Sequence, residues 1–396
     1  PILILNKKKN KKIIISDYFK GLNFSEKSIL TINSFQSKHF AMTGYTYEND
    51  TIYKEINRTA PGSYFSIKNN IVKSYPYYSW KPCKKKKRDN FANLKKQLKE
   101  INITVIDKLI SSSNNRCLAI PLSAGLDSRF ILSGLLSRGY KNVVTFSYGR
   151  ENNREMILAN KIADKAEVKW YPIIYSNKKN RKVFESSEYG NFIDYSDTLS
   201  SVHFVQDYVA VSHLKKEKLI PDDSIIVNGQ TGDFISGNHL LDINKSDNFS
   251  VLKDKFISKH YKIWKQLKDE NTNIIREKLN KRFDRLKIKK TVSNFLEFFE
   301  MVEYEDRQSK YVMTGQRTYD FLGYAWRLPL WDKIYMDFWE NIEVKYKQKQ
   351  ILYKETLIEQ NWSNLWKDLE INPQPDSLYS YRLKLLRLFF KVCFLP

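Results

Sequence analysis

The stretch Arg116-Cys117-Leu118-Ala119-Ile120-Pro121-Leu122-Ser123-Ala124-Gly125-Leu126-Asp127-Ser128-Arg129 passes from an apolar run, through a turn of small residues, into a helical pattern that stops at Gly139. Arg116 to Leu122 shows no polar alternation, which is how a strand buried on both faces reads. The same grammar continues downstream: a strand over Asn142 to Phe146, a helix from Arg154 to Lys165, and a strand over Val168 to Ile174. Helical material around Phe204 to Leu214 then precedes a further buried strand, Ser224 to Asn228. Strands alternating with helices predict an α/β fold whose parallel sheet carries helices on both faces. Ligands of such sheets gather beyond the carboxyl ends of the strands, so residues 122–129 and 228–239 are where chemistry is expected.

Upstream, Phe91, Leu94, Leu98, Ile101, Val105 and Leu109 recur at helical spacing. Residues 13–80 form short runs broken by turn signals and predict a small, mostly β unit. Its runs include Ile13 to Ile15 and Phe40 to Tyr45, and its last hairpin turns at Lys68-Asn69-Asn70. Residues 81–90 lack apolar periodicity and carry the basic run Lys84 to Arg88, which reads as a solvated linker. From about residue 250 onward helical patterns dominate and strand signals are absent. The expected division is therefore 1–80, the linker 81–90, a main domain 91–376, and a basic amphipathic helix over 377–396.

At 396 residues the chain has room for two or three folded units. Its 42% hydrophobic and 14% aromatic content excludes a disordered tail or a collagen-like chain. The net charge of +23 favours anionic partners, whether nucleotides, nucleic acid or an acidic membrane surface. Cys83, Cys117 and Cys393 share no short spacing and offer neither a paired metal motif nor a disulfide framework, so a reducing cytoplasm is the simplest compartment. The opening Pro1 to Leu5 run precedes Lys7-Lys8-Lys9, with charge on the wrong side for a signal peptide. A start at Pro1 fits a fragment or a processed product equally. Tyr381 to Val392 mixes Leu and Phe with spaced cations, which suits a final packed helix or weak association with an anionic membrane.

The first strand end offers phosphate chemistry. Ser123, Ala124 and Gly125 let a ligand approach the backbone, while Ser123, Ser128 and the helix-start amides are donors for phosphate oxygens. Asp127 has the wrong sign for touching phosphate, so it is a candidate ligand for an intervening Mg²⁺. An ordinary turn with Asp127 or Ser128 as helix cap explains the same residues equally well. The second strand end, Asn228-Gly229-Gln230-Thr231-Gly232-Asp233, again sets glycines beside a carboxylate, and Asp233 can face Asp127 across the top of the sheet.

These residues carry a resemblance. Ser123 to Ser128 resembles the pyrophosphate loop of ATP pyrophosphatases, with Ala124 in place of a glycine. Residues 228–239 resemble a motif of the glutamine-hydrolysing asparagine synthetase family. Arg307, Gly323 to Asp332 and Lys354 come next in that family's order, and the likeness spans about residues 40 to 360. It implies a Rossmann-like PP-loop domain with a helical carboxyl-terminal part. A truncated or degenerate remnant of an Ntn-type class II glutamine amidotransferase domain would precede it.

The resemblance further implies ATP and Mg²⁺, with Leu122, Ser123, Ala124, Gly125, Asp127, Ser128, Phe146, Ser147 and Gly229 around the nucleotide. Phe146 and Ser147 would end their strand beside the adenine, and Asp127 and Asp233 would hold the metal. Lys354 would stabilise the phosphates, with Gln230 and Arg327 completing the catalytic set. Gln230, Phe234 and Ala325 stand where the family places glutamates. The implied reaction activates a small carboxylate as an acyl-adenylate and passes it to ammonia or an amine, releasing AMP and pyrophosphate. A surface-polysaccharide or peptide-modifying paralogue and an inactive nucleotide-binding homologue are alternatives. No cysteine precedes Cys83, so glutamine hydrolysis is not expected of this chain, and nitrogen would come from ammonia, a substrate amine or a separate donor protein. Nucleic acid is not expected as a partner, because the cysteines of tRNA-thiolating relatives are missing.

Overall fold

A computed structural model of the protein describes residues 2–7, 12–22, 30–69, 71–81, 89–244 and 246–371. The basic run of the linker and the amphipathic carboxyl-terminal segment lie outside these residues. Ten strands are described in chain order: β1 (Leu3–Lys7), β2 (Lys12–Ser16), β3 (Ile56–Arg58), β4 (Ser63–Lys68), β5 (Ile71–Pro76), β6 (Leu118–Pro121), β7 (Val143–Gly149), β8 (Lys169–Ile174), β9 (Ile225–Val227) and β10 (Ala325–Arg327).

The fold class is α/β, as the alternation of elements predicts. β6 to β10 form one parallel sheet in the order β10-β9-β6-β7-β8. The chain enters this sheet at its centre, lays β7 and β8 to one side, then returns to lay β9 and β10 on the other. β6 and β9 are therefore neighbours whose chains depart in opposite directions, and the crevice beyond their carboxyl ends is the topological switch point. Burial explains the sequence pattern, since Leu118 to Ile120 and Ile225 to Val227 are wholly enclosed between helices.

Three expectations are corrected. β7 does not end at Phe146, because Ser147, Tyr148 and Gly149 pair with Pro172, Ile173 and Ile174 of β8. The Phe146 carbonyl accepts the Leu122 N–H at 2.8 Å, so it belongs to the sheet and is not open to an adenine. A strand does occur beyond residue 250: β10 has three half-buried residues at the sheet edge, too few to leave a periodic signal. Phe40 to Thr43 is the last turn of a helix, Ser34–Thr43, capped by Asn33 at its start and by Gly44 with φ 85° at its end, and Tyr45 lies beyond it. Its buried residues Gln36, His39, Met42 and Thr43 share one helical face, which the run from Phe40 onward is too short to display. The hairpin β4–β5 forms where predicted, with Asn69 at φ 49°.

The first eighty residues dock closely on the rest of the chain. β2-β1-β3 is an antiparallel sheet whose Leu3, Leu5 and Ile56 pack with Leu199, while Met42 and Trp80 enter the main core. The Thr46 N–H donates to the Ser200 carbonyl and the Val202 N–H to that of Gly44, both at 2.8 Å. Beside them runs a π-helix, Glu303–Val312, with charged side chains turned inward. Asp306 accepts from Lys310 at 2.9 Å, from the Glu48 N–H at 3.0 Å and from Arg282. Glu303 accepts from Arg307 at 2.8 Å and Gln308 at 3.0 Å, and lies 3.5 Å from His260. The Tyr45 hydroxyl lies within hydrogen-bond distance of His260 Nδ1, at 2.9 Å, and the Tyr45 carbonyl accepts from His39 at 2.8 Å.

Burial lowers both His39 and His260 to about 4. The unfolded chain takes up these protons near pH 6.5 and the folded chain only near pH 4, so stability falls as the pH drops through that interval. Each histidine removes about 3 kcal/mol by pH 4. The raised carboxyls of Asp127 and Asp207 pull the other way as the pH falls, so the effect is read by comparison: between pH 7 and pH 5 the urea midpoint of the unmodified protein is expected to fall relative to that of His260→Gln. Parallel midpoints over that range would contradict this.

Candidate functional site

The switch-point crevice is built from two loops in contact. In the first, the Ser123 N–H donates to Ser128 Oγ at 3.0 Å, the two serine hydroxyls lie 3.1 Å apart, and the Gly125 N–H donates to Ser123 Oγ at 3.2 Å. The helix beyond this loop, Asp127–Ser137, has no side-chain cap, whereas helices starting after Asn33, Asn90, Asn153 and Asn248 are capped by those side chains. Its first-turn N–H groups thus remain donors in need of a partner. The reading of Asp127 or Ser128 as an ordinary cap is not realised, because Ser128 bonds backwards to Ser123.

The second loop comes so near that only glycine fits. A Cβ on Gly229 would stand 2.7 Å from the Asp127 Cβ, and one on Gly232 2.2 Å from Asp127 Oδ1. Between them Thr231 is held at φ 84°, a costly conformation for a β-branched residue, with its hydroxyl buried and unpartnered among the described residues. Strain of this kind persists only where surrounding structure fixes it.

Asp127 and Asp233 are brought together. Burial, and then the neighbouring Asp233 carboxylate, push the Asp127 carboxyl well above its ordinary range. Its Oδ1 is enclosed and has no hydrogen-bond partner among the described residues. Asp233 accepts from Asn238 at 3.1 Å and Gln350 at 3.4 Å. Two carboxylates that repel, one with an orphaned oxygen, fit a shared divalent cation, whose charge would relieve both penalties. Among the described residues no group of three or more metal-ligating side chains occurs, so phosphate oxygens and water would have to complete the coordination of Mg²⁺.

The remaining expected residues divide. Lys354 lies on the helix Ile351–Gln360, one turn beyond Gln350 and next to Tyr353, a neighbour of Asp127. It is half-buried and forms no hydrogen bond or ion pair within the described residues. Leu122 and Ala124 are buried in the first loop. Ser147 donates to the Leu122 carbonyl at 2.6 Å and so braces that loop from β7. Gln230 accepts from Gln316. Arg327 stands apart: it donates to Ser112 Oγ at 3.1 Å, the Ser112 carbonyl at 3.2 Å and the Trp326 carbonyl at 2.8 Å, tying β10 to the helix Phe91–Ser113. Arg307 meets the second loop through His239, at 3.2 Å.

Sequence reading misses a buried group behind the second loop. Asp207 accepts from Tyr148, Tyr319 and Asn228, and Asn228 Oδ1 in turn accepts the Gln230 N–H at 2.8 Å. Burial raises the Asp207 carboxyl. Tyr148 was within reach as a strand-end residue once β7 is extended, but Asp207, in the turn before the helix Tyr208–Lys216, and Tyr319, within a helix, belong to no motif. No family model matches the chain, and no curated protein matches it.

Proposed function

We propose that the protein is an ATP-dependent amide-forming synthetase that activates a carboxylate by adenylation and transfers the acyl group to ammonia or an amine. The observation that carries this reading is the meeting of the two glycine-containing loops at the switch point, with Asp127 and Asp233 facing one another. In the proposed reaction a carboxylate oxygen attacks the α phosphorus of ATP and pyrophosphate leaves. The amine nitrogen then attacks the acyl carbon, AMP departs with the former carboxylate oxygen, and the amine loses a proton. Asp127 and Asp233 would hold Mg²⁺, which neutralises charge on the departing pyrophosphate. The uncapped helix start and the serine hydroxyls of the first loop donate to phosphate oxygens. Lys354 supplies a cation whose value rises as phosphate charge develops. Gln230 is neutral and orients a group without acting as a base.

Lys354→Ala is expected to lower turnover by about 10²-fold with little change in ATP affinity. Purified protein with ATP, Mg²⁺ and a panel of carboxylates should release AMP and pyrophosphate in equal amounts. A second reading, nucleotide binding without turnover, draws support from Gln230, whose carbonyl is already occupied by Gln316. ATP binding with no AMP release from any acid would decide for it.

A further inference from the structure

A cavity of about 710 Å³ opens between the first eighty residues and the carboxyl-terminal part, walled by β3 and the turn after it on one side and by the π-helix and the segment around β10 on the other. Its size is that of a small-molecule site. Much of the wall is aromatic, including Tyr78, Tyr304, Trp326 and Trp331, and the rings of Tyr304 and Trp331 stack at 5.7 Å. Three cations, Arg58, Arg317 and Lys333, line it against two acids, Asp17 and Asp320.

Two of the cations are matched. Arg317 pairs with Asp17 at 2.9 Å, and Lys333 pairs with Asp337. Asp320 accepts from the Trp326 indole at 2.8 Å. Arg58 is different. It is 5% exposed, its Nη2 makes one long bond of 3.4 Å to the Ser309 carbonyl, and its Nε and Nη1 have no partner among the described residues. The acid that bears on it is Asp306, and both oxygens of Asp306 are already committed to Lys310, Arg282 and the Glu48 N–H. A buried guanidinium without an anion is a standing cost that a bound carboxylate would offset.

We propose that this cavity binds an aromatic monocarboxylate, its anionic group held at Arg58 and its ring among the tyrosines and tryptophans. Arg58 is the one cation of the wall without an ion-pair partner among the described residues, and with the Asp320 carboxylate in the same wall it favours a monoanion over a phosphate dianion, while the aromatic wall favours a flat apolar body over a short aliphatic acid. Gln316 lines the cavity and donates to Gln230 at the second strand end. Resting on the synthetase reading, the same ligand is then the acid that is activated.

The test uses the full chain with indole-3-acetate and phenylacetate, each beside its neutral amide, with binding read by calorimetry without ATP. The carboxylates are expected to bind at least about tenfold more tightly than the amides, and Arg58→Met to abolish that preference. The carboxylate-to-amide comparison in the unmodified protein stands even if Arg58→Met does not fold. Equal binding of acid and amide, no binding of either, or an unchanged preference in a folded Arg58→Met protein would overturn the proposal. AMP release is scored separately with the same acids, so binding without release leaves the cavity site standing and removes only the synthetase reading.

Discussion

Asp127→Asn and Asp233→Asn are each expected to lower ATP turnover by about 10³-fold or more, because each removes one of two carboxylates proposed to share a cation. Stability is expected to move the other way. Asp127 is half-buried with its Oδ1 enclosed, beside a like charge, and both effects penalise its ionised form. A neutral amide of the same shape removes that penalty, so the urea midpoint of Asp127→Asn should hold or rise while activity collapses. Opposed changes in one variant mark a residue kept for function at the expense of the fold. Retained turnover in both variants would remove the metal assignment. Lost turnover with a comparably lowered midpoint in Asp127→Asn would show instead that the carboxylate is structural.

The largest effect on stability is expected at Asp306. Arg282 and Lys310, both wholly enclosed, converge on this carboxylate, which itself is buried. Arg282 holds the Asp306 carboxyl well below its usual range, with Lys310 adding to it. Asp306→Ala leaves two buried cations short of an anion, one of which, Arg282, keeps Glu305 and, at 3.7 Å, Glu48, and such losses amount to about 3–5 kcal/mol. The Glu48 N–H loses its acceptor as well, so hydrogen exchange at residues 45–48 should accelerate alongside the fall in urea midpoint. A midpoint shift worth less than about 1 kcal/mol would mean that water or neighbouring side chains take over the role of Asp306.

The centre of the sheet was legible because β6 and β9 are buried on both faces. Leu118 to Ile120 and Ile225 to Val227 carry continuous apolar side chains, and no helical or alternating pattern competes with that reading. The strand-end loops were legible for a related reason: a backbone that must let another chain pass within van der Waals contact needs glycine, and Gly229 and Gly232 do so against Asp127. β10 was not legible, since three edge residues acquire their strand character only by pairing with β9. The helix Ser34–Thr43 was misread because most of its buried positions are polar, Met42 being the exception, and Gln36 and His39 are buried with hydrogen bonds to Tyr47 and Tyr45 and not for their hydrophobicity.

What the sequence alone determined is therefore local: where buried strands run, where glycine permits a close approach, and which carboxylates stand at strand ends. The meeting of Asp127 and Asp233 was expected from their strand ends, but the order β10-β9-β6-β7-β8, which makes β6 and β9 neighbours, came only with the tertiary structure. So did the contact of Gln350, one turn before Lys354, with Asp233, the burial of Asp207 behind Asn228, and the unpaired nitrogens of Arg58 in the wall of the aromatic cavity. The physical reason is common to all of these. A residue type fixes what a side chain can bond to, but its protonation and its unmet bonding capacity depend on groups far away in the chain, and packing alone brings those groups within reach.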